Sequence, residues 1–389
     1  MARRFDPIYL DHNAGAPLRP RARDVMIEVL NDPGNASSVH AHGRRARGRI
    51  EAAREQVARL CDVKARAVTF VSGGTEANMT ALTPAWQDRG APVYLDKLVM
   101  SAVEHPSVLS GGRFATADQI SIGVDSQGRV RLDELELAVK DAEQSLVSIM
   151  VANNETGVVQ PLREIGTIVK TYGHFLHLDA VQAAARMPID MDAWQADVLT
   201  LSAHKFGGPQ GAGAVVVGST ARVPSALMTG GGQENWRRAG TENVAAIAGF
   251  GAAAEEALEE AVDTRHFADM QTRLESGIKA VCPGTVVFGE ASGRLANTTC
   301  FAVPGIPAET ALIAFDLEGI SVSSGSACSS GKVSVSHVLT AMGVGEELAR
   351  CALRVSTGWK TTEAEIDRFL SVWPKIVERL NPDARHRAA

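Results

Sequence analysis

Between about residues 65 and 220 the chain alternates short apolar runs with longer stretches whose apolar positions recur every three or four residues. The runs 68–72, 98–103, 146–152, 175–178, 198–202 and 214–217 are short and mainly apolar, as buried strands are. Segment 162–171, lying between two of them, has a helical period. Alternation of this kind predicts an α/β fold with a mostly parallel sheet and helices packed on its faces. An alanine-rich helical stretch, 244–261, then runs into charged residues near Asp263, which mark a boundary. Beyond it strands are fewer (298–303, 320–323, 353–356) and helices lie between them, which predicts a smaller α+β unit.

Ligands of open α/β sheets sit beyond the carboxyl ends of the strands, so the residues that follow each strand carry the candidate chemistry. They are Gly73-Gly74-Thr75-Glu76, Glu104-His105-Pro106, Asn153-Asn154-Glu155, Asp179-Ala180-Val181-Gln182 and Ser202-Ala203-His204-Lys205. The glycine pair before Thr75 suits a phosphate at a helix N-terminus and equally a tight turn with Thr75 as N-cap. Lys205, at a strand end, suits the free amine that a Schiff base requires, although most lysines are surface residues. Asp179 could hold a pyridinium nitrogen or cap a helix starting near Ala180. His105 could stack on a ring, move a proton or simply turn the chain before Pro106. Cys328 lies among serines and glycines in 323–331, a segment too small and polar for a core, and suits nucleophilic attack. Cys300, inside an apolar strand, reads instead as a buried structural thiol.

Composition narrows the class. The 389 residues are 45% hydrophobic and 22% charged with a net charge of −6, which fits a globular protein without a nucleic-acid partner. No apolar run approaches the roughly 18 residues of a membrane span, and the arginines at the start precede no apolar stretch. Five scattered cysteines (61, 282, 300, 328, 351) lack CxxC spacing, which argues for a reducing, cytoplasmic setting without disulfides or zinc. The histidine pairs 40/42 and 174/177 lack further ligands at metal spacing. Ser202–Lys205 matches SxxK formally, but no companion SDN or KTG occurs.

Taken together, these segments resemble the cysteine desulfurases of the NifS/IscS family, within the aminotransferase-like, type I fold of pyridoxal-phosphate enzymes. The likeness runs from Tyr9-Leu10-Asp11-His12-Asn13 to Arg354-Val355-Ser356-Thr357-Gly358, through Gly230–Glu234 and Arg238–Asn243. The resemblance implies a large domain, 16–262, with a mainly parallel seven-stranded sheet, and a small α+β domain from 1–15 and 263–389 carrying the Cys328 loop. It implies a homodimer acting on L-cysteine, with a sulfur-acceptor or scaffold protein as partner and iron–sulfur cluster assembly as its use. By resemblance Lys205 forms the Schiff base, His105 stacks on the ring, and Asp179 and Gln182 hold the pyridine nitrogen and phenolic oxygen. Gly74, Thr75, Ser202 and His204 bind phosphate, joined by Thr241 of the other subunit. Arg354, with Asn154 and Asn13, holds the substrate carboxylate, and an arginine fork suits that task. Cys328 takes the sulfur as a persulfide; no resident metal is implied, beyond a cluster iron that Cys328 could share in passing. The chain departs from the usual family pattern at Gly15, Ala16 and Ala36, in the Ser329–Ser336 stretch after Cys328, and in a short tail. A related aminotransferase, a selenocysteine lyase or a non-catalytic sulfur-transfer subunit remain as alternatives.

Overall fold

The computed structural model describes residues 7–260, 265–325 and 335–385. Its central sheet has seven strands: Val68–Val71 (β1), Lys97–Ser101 (β2), Gln119–Ile122 (β3), Ser145–Met150 (β4), Phe175–Asp179 (β5), Val198–Ser202 (β6) and Gly213–Val217 (β7). The order across the sheet is β1-β7-β6-β5-β4-β2-β3. Only β7 runs against its neighbours, β1 and β6; the remaining pairings are parallel. Strands β4, β5 and β6 are buried at every position. Helices cover both faces of such strands, which is why they read as mainly apolar runs rather than as strict alternation.

All six apolar runs before residue 220 became strands of this sheet. The seventh, β3, is an edge strand whose Gln-Ile-Ser-Ile is only partly buried, so it carries no comparable signal. Also without one are the hairpin Ala85–Asp88 and Ala91–Tyr94 and its partner Arg222–Pro224, which form a separate antiparallel sheet. The helix Val244–Glu260 packs against Ala41–Leu60 and Pro20–Leu30. Its small residues allow a close approach: a Cβ on Gly251 would lie 2.5 Å from the Ala53 Cα. The other end of the expected helix, Ala261, and the boundary at Asp263 lie outside the described residues.

A second core gathers both ends of the chain. Leu10 joins Phe301, Phe315, Phe369 and Trp373 in one cluster, in which the Phe315 and Phe369 rings stack with centroids 4.7 Å apart. Helix Glu363–Leu380 enters this core through a reciprocal capping box of Thr362 and Glu365. The strand expected at 320–323 is in fact two. Ile320–Ser321 pairs in parallel with Ile8–Tyr9, and Ser323–Ser324 joins an antiparallel sheet with Ala352–Ser356, Thr298–Ala302 and Val286–Val287. Through the first pairing and a bridge from Asp11 to Ser356, the N-terminal segment is carried to the carboxyl ends of the central strands. Among the described residues no helix is long and apolar enough to cross a membrane.

Candidate active site

The parallel strands all end on one edge of the sheet, and there a cavity of about 370 Å³ is lined by Asn13, Gly74, Thr75, His105, Asn154, Asp179, Gln182, Ser202, His204, Lys205 and Arg354. Eleven positions expected from the sequence therefore meet at one place. Thr241 does not line it; within this chain its side chain is exposed. Cys328 lies outside the described residues.

On the β1 side the chain leaves the strand through Ser72 and Gly73 and starts helix Gly74–Ala81. The cap is Gly73, not Thr75, which sits in the first turn with no side-chain cap bond at Gly73. The first N–H groups of a helix have no intrahelical acceptor and attract an anion. Ser202 faces them, and a Cβ on Gly74 would stand 3.3 Å from the Ser202 Cβ and 3.1 Å from Val181 Cγ2. Glycine at 74 thus keeps that cradle open.

Asp179 closes β5 and is 5% exposed. Its Oδ2 accepts from Asn78 Nδ2 at 2.8 Å and its Oδ1 from the Val181 N–H at 2.9 Å. No helix follows at Ala180; turns do, so this carboxylate shapes a turn instead of capping a helix. Asn78 is itself fixed, because its Oδ1 accepts from Thr200 Oγ1 at 2.6 Å. Opposite stands His105, the cap of helix Pro106–Leu109. The Ser107 N–H donates to its Nδ1 at 3.1 Å, and since a backbone N–H can only donate, the ring proton sits on Nε2. Burial first, then the charge of Lys205, favours the neutral ring against the pull of Asp179. His204 is likewise pushed down to about 4 by burial, Lys205 and Arg186, so it is neutral at pH 7.

Lys205 follows β6 in a short 3-10 turn, Ala203–Lys205. Its Nζ donates to the backbone carbonyls of Asn13 at 2.7 Å and Ala14 at 3.1 Å. Gln182 Nε2 donates to the same Asn13 carbonyl at 3.0 Å. The Asn13 side chain is spent on structure: its Nδ2 reaches the Asn154 carbonyl and Thr298 Oγ1, and its Oδ1 accepts from Asn297. Arg354 is 2% exposed. Its guanidinium donates to the Asn154 carbonyl at 2.9 Å and pairs with Asp11 Oδ1 at 2.7 Å, while its Nε has no partner.

Three residues that shape this site were given no role from sequence: Asn78, Ser107 and Arg186. Asn78 carried a signal, since four residues past Gly74 it shares that face of the helix. Ser107 and Arg186 carried none that distinguishes them from ordinary turn residues.

The geometry has counterparts. The profile of the family described as Aminotransferase class-V matches residues 8–369. A curated relative named cysteine desulfurase 2, from Trichormus variabilis, is 39% identical over 377 residues, covering 96% of this chain and 94% of its own. One from Dictyoglomus turgidum, named cysteine desulfurase IscS, is 37% identical over 382 residues, at 96% and 95% coverage. Among solved structures, a NifS-like protein from Rickettsia africae superposes with a TM-score of 0.86 at 36% identity, covering 96% of this chain and 99% of that one. A structure of SspA in complex with cysteine gives a TM-score of 0.74 at 27% identity, with 90% and 98% covered. A match from the first paired strand to the last helix, with relatives this similar over nearly their full length, means that this chain belongs to the class-V aminotransferase family.

Proposed function

We propose that this chain is a pyridoxal-phosphate-dependent cysteine desulfurase, moving the sulfur of L-cysteine to Cys328 and then to an acceptor protein, with L-alanine as product. One observation carries the reading: Lys205, Asp179, His105, the Gly74 helix start and Arg354 line a single cavity. The curated relatives bear the name cysteine desulfurase, and the related SspA has been solved with cysteine. The donor set fits the cofactor. Helix N–H groups at Gly74 and Thr75, with Ser202 and His204, suit its phosphate; Asp179 suits the pyridine nitrogen; His105 suits the ring face; Gln182 suits the phenolic oxygen. Bound there, pyridoxal phosphate supplies a ring able to take up the electron pair released at the substrate Cα.

The chain's own groups do the rest. Lys205 holds the cofactor and, once displaced, takes the Cα proton. Arg354 anchors the substrate carboxylate, with Asn154 and Asn13 framing it, and the free Nε of Arg354 is in keeping with that role. In the sulfur step the Cβ–S bond breaks as an S–S bond forms at Cys328. Protons returned to the three-carbon fragment then make alanine, with no further oxidant or reductant. The other cysteines support Cys328 as acceptor: all four are buried. Burial holds the Cys61 thiol up at about 12 and raises those of Cys300 and Cys351 as well, so their thiolates are scarce.

The same reading divides the chain into a large domain, 16–262, and a small one from 1–15 and 263–389, and pairs two chains so that Thr241 of the partner subunit completes each phosphate site. It assigns the acceptor step to iron–sulfur cluster assembly in the cytoplasm. Purified protein should absorb in the visible and release alanine from L-cysteine. Brief exposure to L-cysteine should add one sulfur to the intact mass, removable by a thiol reductant. Cys328→Ser should keep the visible band and lose the added sulfur. Sulfur on Cys61, Cys282, Cys300 or Cys351, or wild-type turnover in Cys328→Ser, would overturn the sulfur route. Amino transfer to a keto acid without sulfide release would point to an aminotransferase instead.

A further inference from the structure

Arg186 sits directly beneath the Lys205 site. Its Nη1 donates to the Gln182 side-chain Oε1 and, at 3.1 Å, to the Gln182 carbonyl. Its Nη2 donates to the carbonyls of Lys205 at 3.0 Å and His12 at 3.2 Å. Every one of these acceptors is an uncharged oxygen, and among the described residues no carboxylate pairs with the guanidinium. The contacts close a ring: Arg186 grips Gln182 and Lys205, and Gln182 Nε2 and Lys205 Nζ both donate to the Asn13 carbonyl. Arginine only donates and a carbonyl only accepts, so the amide of Gln182 has one orientation open to it, Oε1 toward Arg186 and the N–H side away.

The backbone is held out of its ordinary range to achieve this. Ala185, immediately before Arg186, has φ 63°, a left-handed conformation that a residue with a Cβ adopts at a cost. Strain kept at a site, without a glycine to relieve it, points to function. The charge persists too: burial and the like charge of Arg354 push Arg186 down only to about 9, so it is protonated at pH 7.

We propose that Arg186 is a positioning residue of the lysine–cofactor linkage. It locks the Gln182 amide with its N–H side toward the Asn13 carbonyl, which Lys205 Nζ also contacts, and places an uncompensated positive charge beside Lys205, which lowers the proton affinity of that linkage. The proposal rests on Lys205 being the cofactor lysine. The charged and titratable groups around the linkage are Arg354 with its partner Asp11, Asp179, His105, His204 and His12, with Arg19, paired to Glu256 and Glu260, acting on His12. Those histidines are held toward their neutral forms by burial; Arg354 is paired with Asp11, which leaves Arg186 as the cation without a carboxylate partner and Asp179 as the anion near His105.

The test is a pH titration of the visible band of purified protein, a readout independent of turnover. Removing a nearby cation favours the protonated form, so in Arg186→Met the midpoint should rise by about one pH unit, tenfold in proton affinity. Arg186→Lys keeps the charge but not the fork and should stay within about 0.3 unit of wild type, the resolution such a titration needs to tell the two variants apart. A residue that merely stabilised the fold would lower the unfolding temperature in Arg186→Met and leave the midpoint where it was; that result overturns the proposal. So does a Lys variant that shifts as far as the Met variant. Should Arg186→Met fail to fold, Gln182→Glu takes its place, setting a carboxylate of the same shape against the guanidinium. Its midpoint should also rise, and an unmoved one overturns the proposal. A wild-type protein with no visible band, or with the cofactor reduced onto a lysine other than Lys205, would remove the cofactor reading together with this one.

Discussion

Glu104 precedes His105 and is fully buried. Its Oε1 accepts from Ser101 Oγ at 2.5 Å and from the Met150 N–H at 2.9 Å, while its Oε2 has no partner. Burial, and to a smaller extent the charge of Asp179, pushes its carboxyl up to about 8, against the lowering effect of those two donors. At pH 7 the folded protein therefore keeps a proton that the unfolded chain, titrating near 4.3, has already released. The sign follows from linkage: where the folded state binds more protons, stability falls as pH rises. The stability is fully present below about pH 4, declines by up to about 1.4 kcal/mol per pH unit, and is lost as pH passes about 8, roughly 4–5 kcal/mol at most.

Glu104→Gln has the same shape and no proton to lose, so it isolates this effect. Against wild type it should be close to neutral at about pH 4, ahead by about 1 kcal/mol at pH 5, and progressively more stable, by about 1 kcal/mol per pH unit, toward pH 8. Glu155, pushed up to about 7 mainly by burial, tilts both proteins the same way and cancels in the difference. Urea unfolding midpoints of both proteins from pH 5 to 8 measure it. A difference that does not change with pH would refute the reasoning, and one that favours wild type as pH rises would reverse its sign. Because Glu104 is neutral at pH 7 either way, Asp179 faces no second anion in either protein, and the visible band of Glu104→Gln should match wild type.

Lys205→Ala should lose the visible band and turnover while retaining some cofactor through the Gly74, Ser202 and His204 contacts; a borohydride-stable adduct mapped to a different lysine would end the assignment. Mixing Thr241→Ala chains with Lys205→Ala chains should restore activity, since one site of the mixed dimer then has both an intact lysine and an intact partner threonine. No recovery despite subunit exchange, with each variant impaired alone, would remove Thr241 from the site. Arg54 and Glu234 form a buried pair through two contacts of 2.7 Å, and Glu234 also accepts from the Phe70 N–H at 2.8 Å. Arg54→Met should cost about 3–5 kcal/mol by leaving that carboxylate buried and unpaired, and adding Glu234→Gln should recover much of it. Unfolding curves that place the double variant below the single one would contradict this.

What could be read from the sequence depended on whether a residue's role was local. Strands β4, β5 and β6 were legible because burial on both faces makes most of their positions apolar, with only Ser145, Ser148, His177, Asp179, Thr200 and Ser202 interrupting. The polar residues after them were legible because strand ends in a parallel sheet face one edge, so sequence position alone puts Asp179 and Lys205 on the same rim. Contacts made across the fold were not legible. Nothing near Asn13 in the chain shows that its amide is spent on Thr298 and Asn297, or that its backbone carbonyl collects donors from Gln182 and Lys205. Arg186 follows a run of alanines and reads locally as a surface cation. Its meaning arises only when the chain turns through Ala185 and brings the guanidinium under Lys205. The pattern has a physical reason. The groups expected to touch the cofactor lie at strand ends, where a parallel sheet gathers them whatever else the chain does. Arg186, unlike Asn78, acts largely through backbone carbonyls, and carbonyls leave no trace in residue identity. It is a partly buried cation that meets no carboxylate among the described residues, and its role shows only in its contacts with Gln182 and Lys205 across the fold.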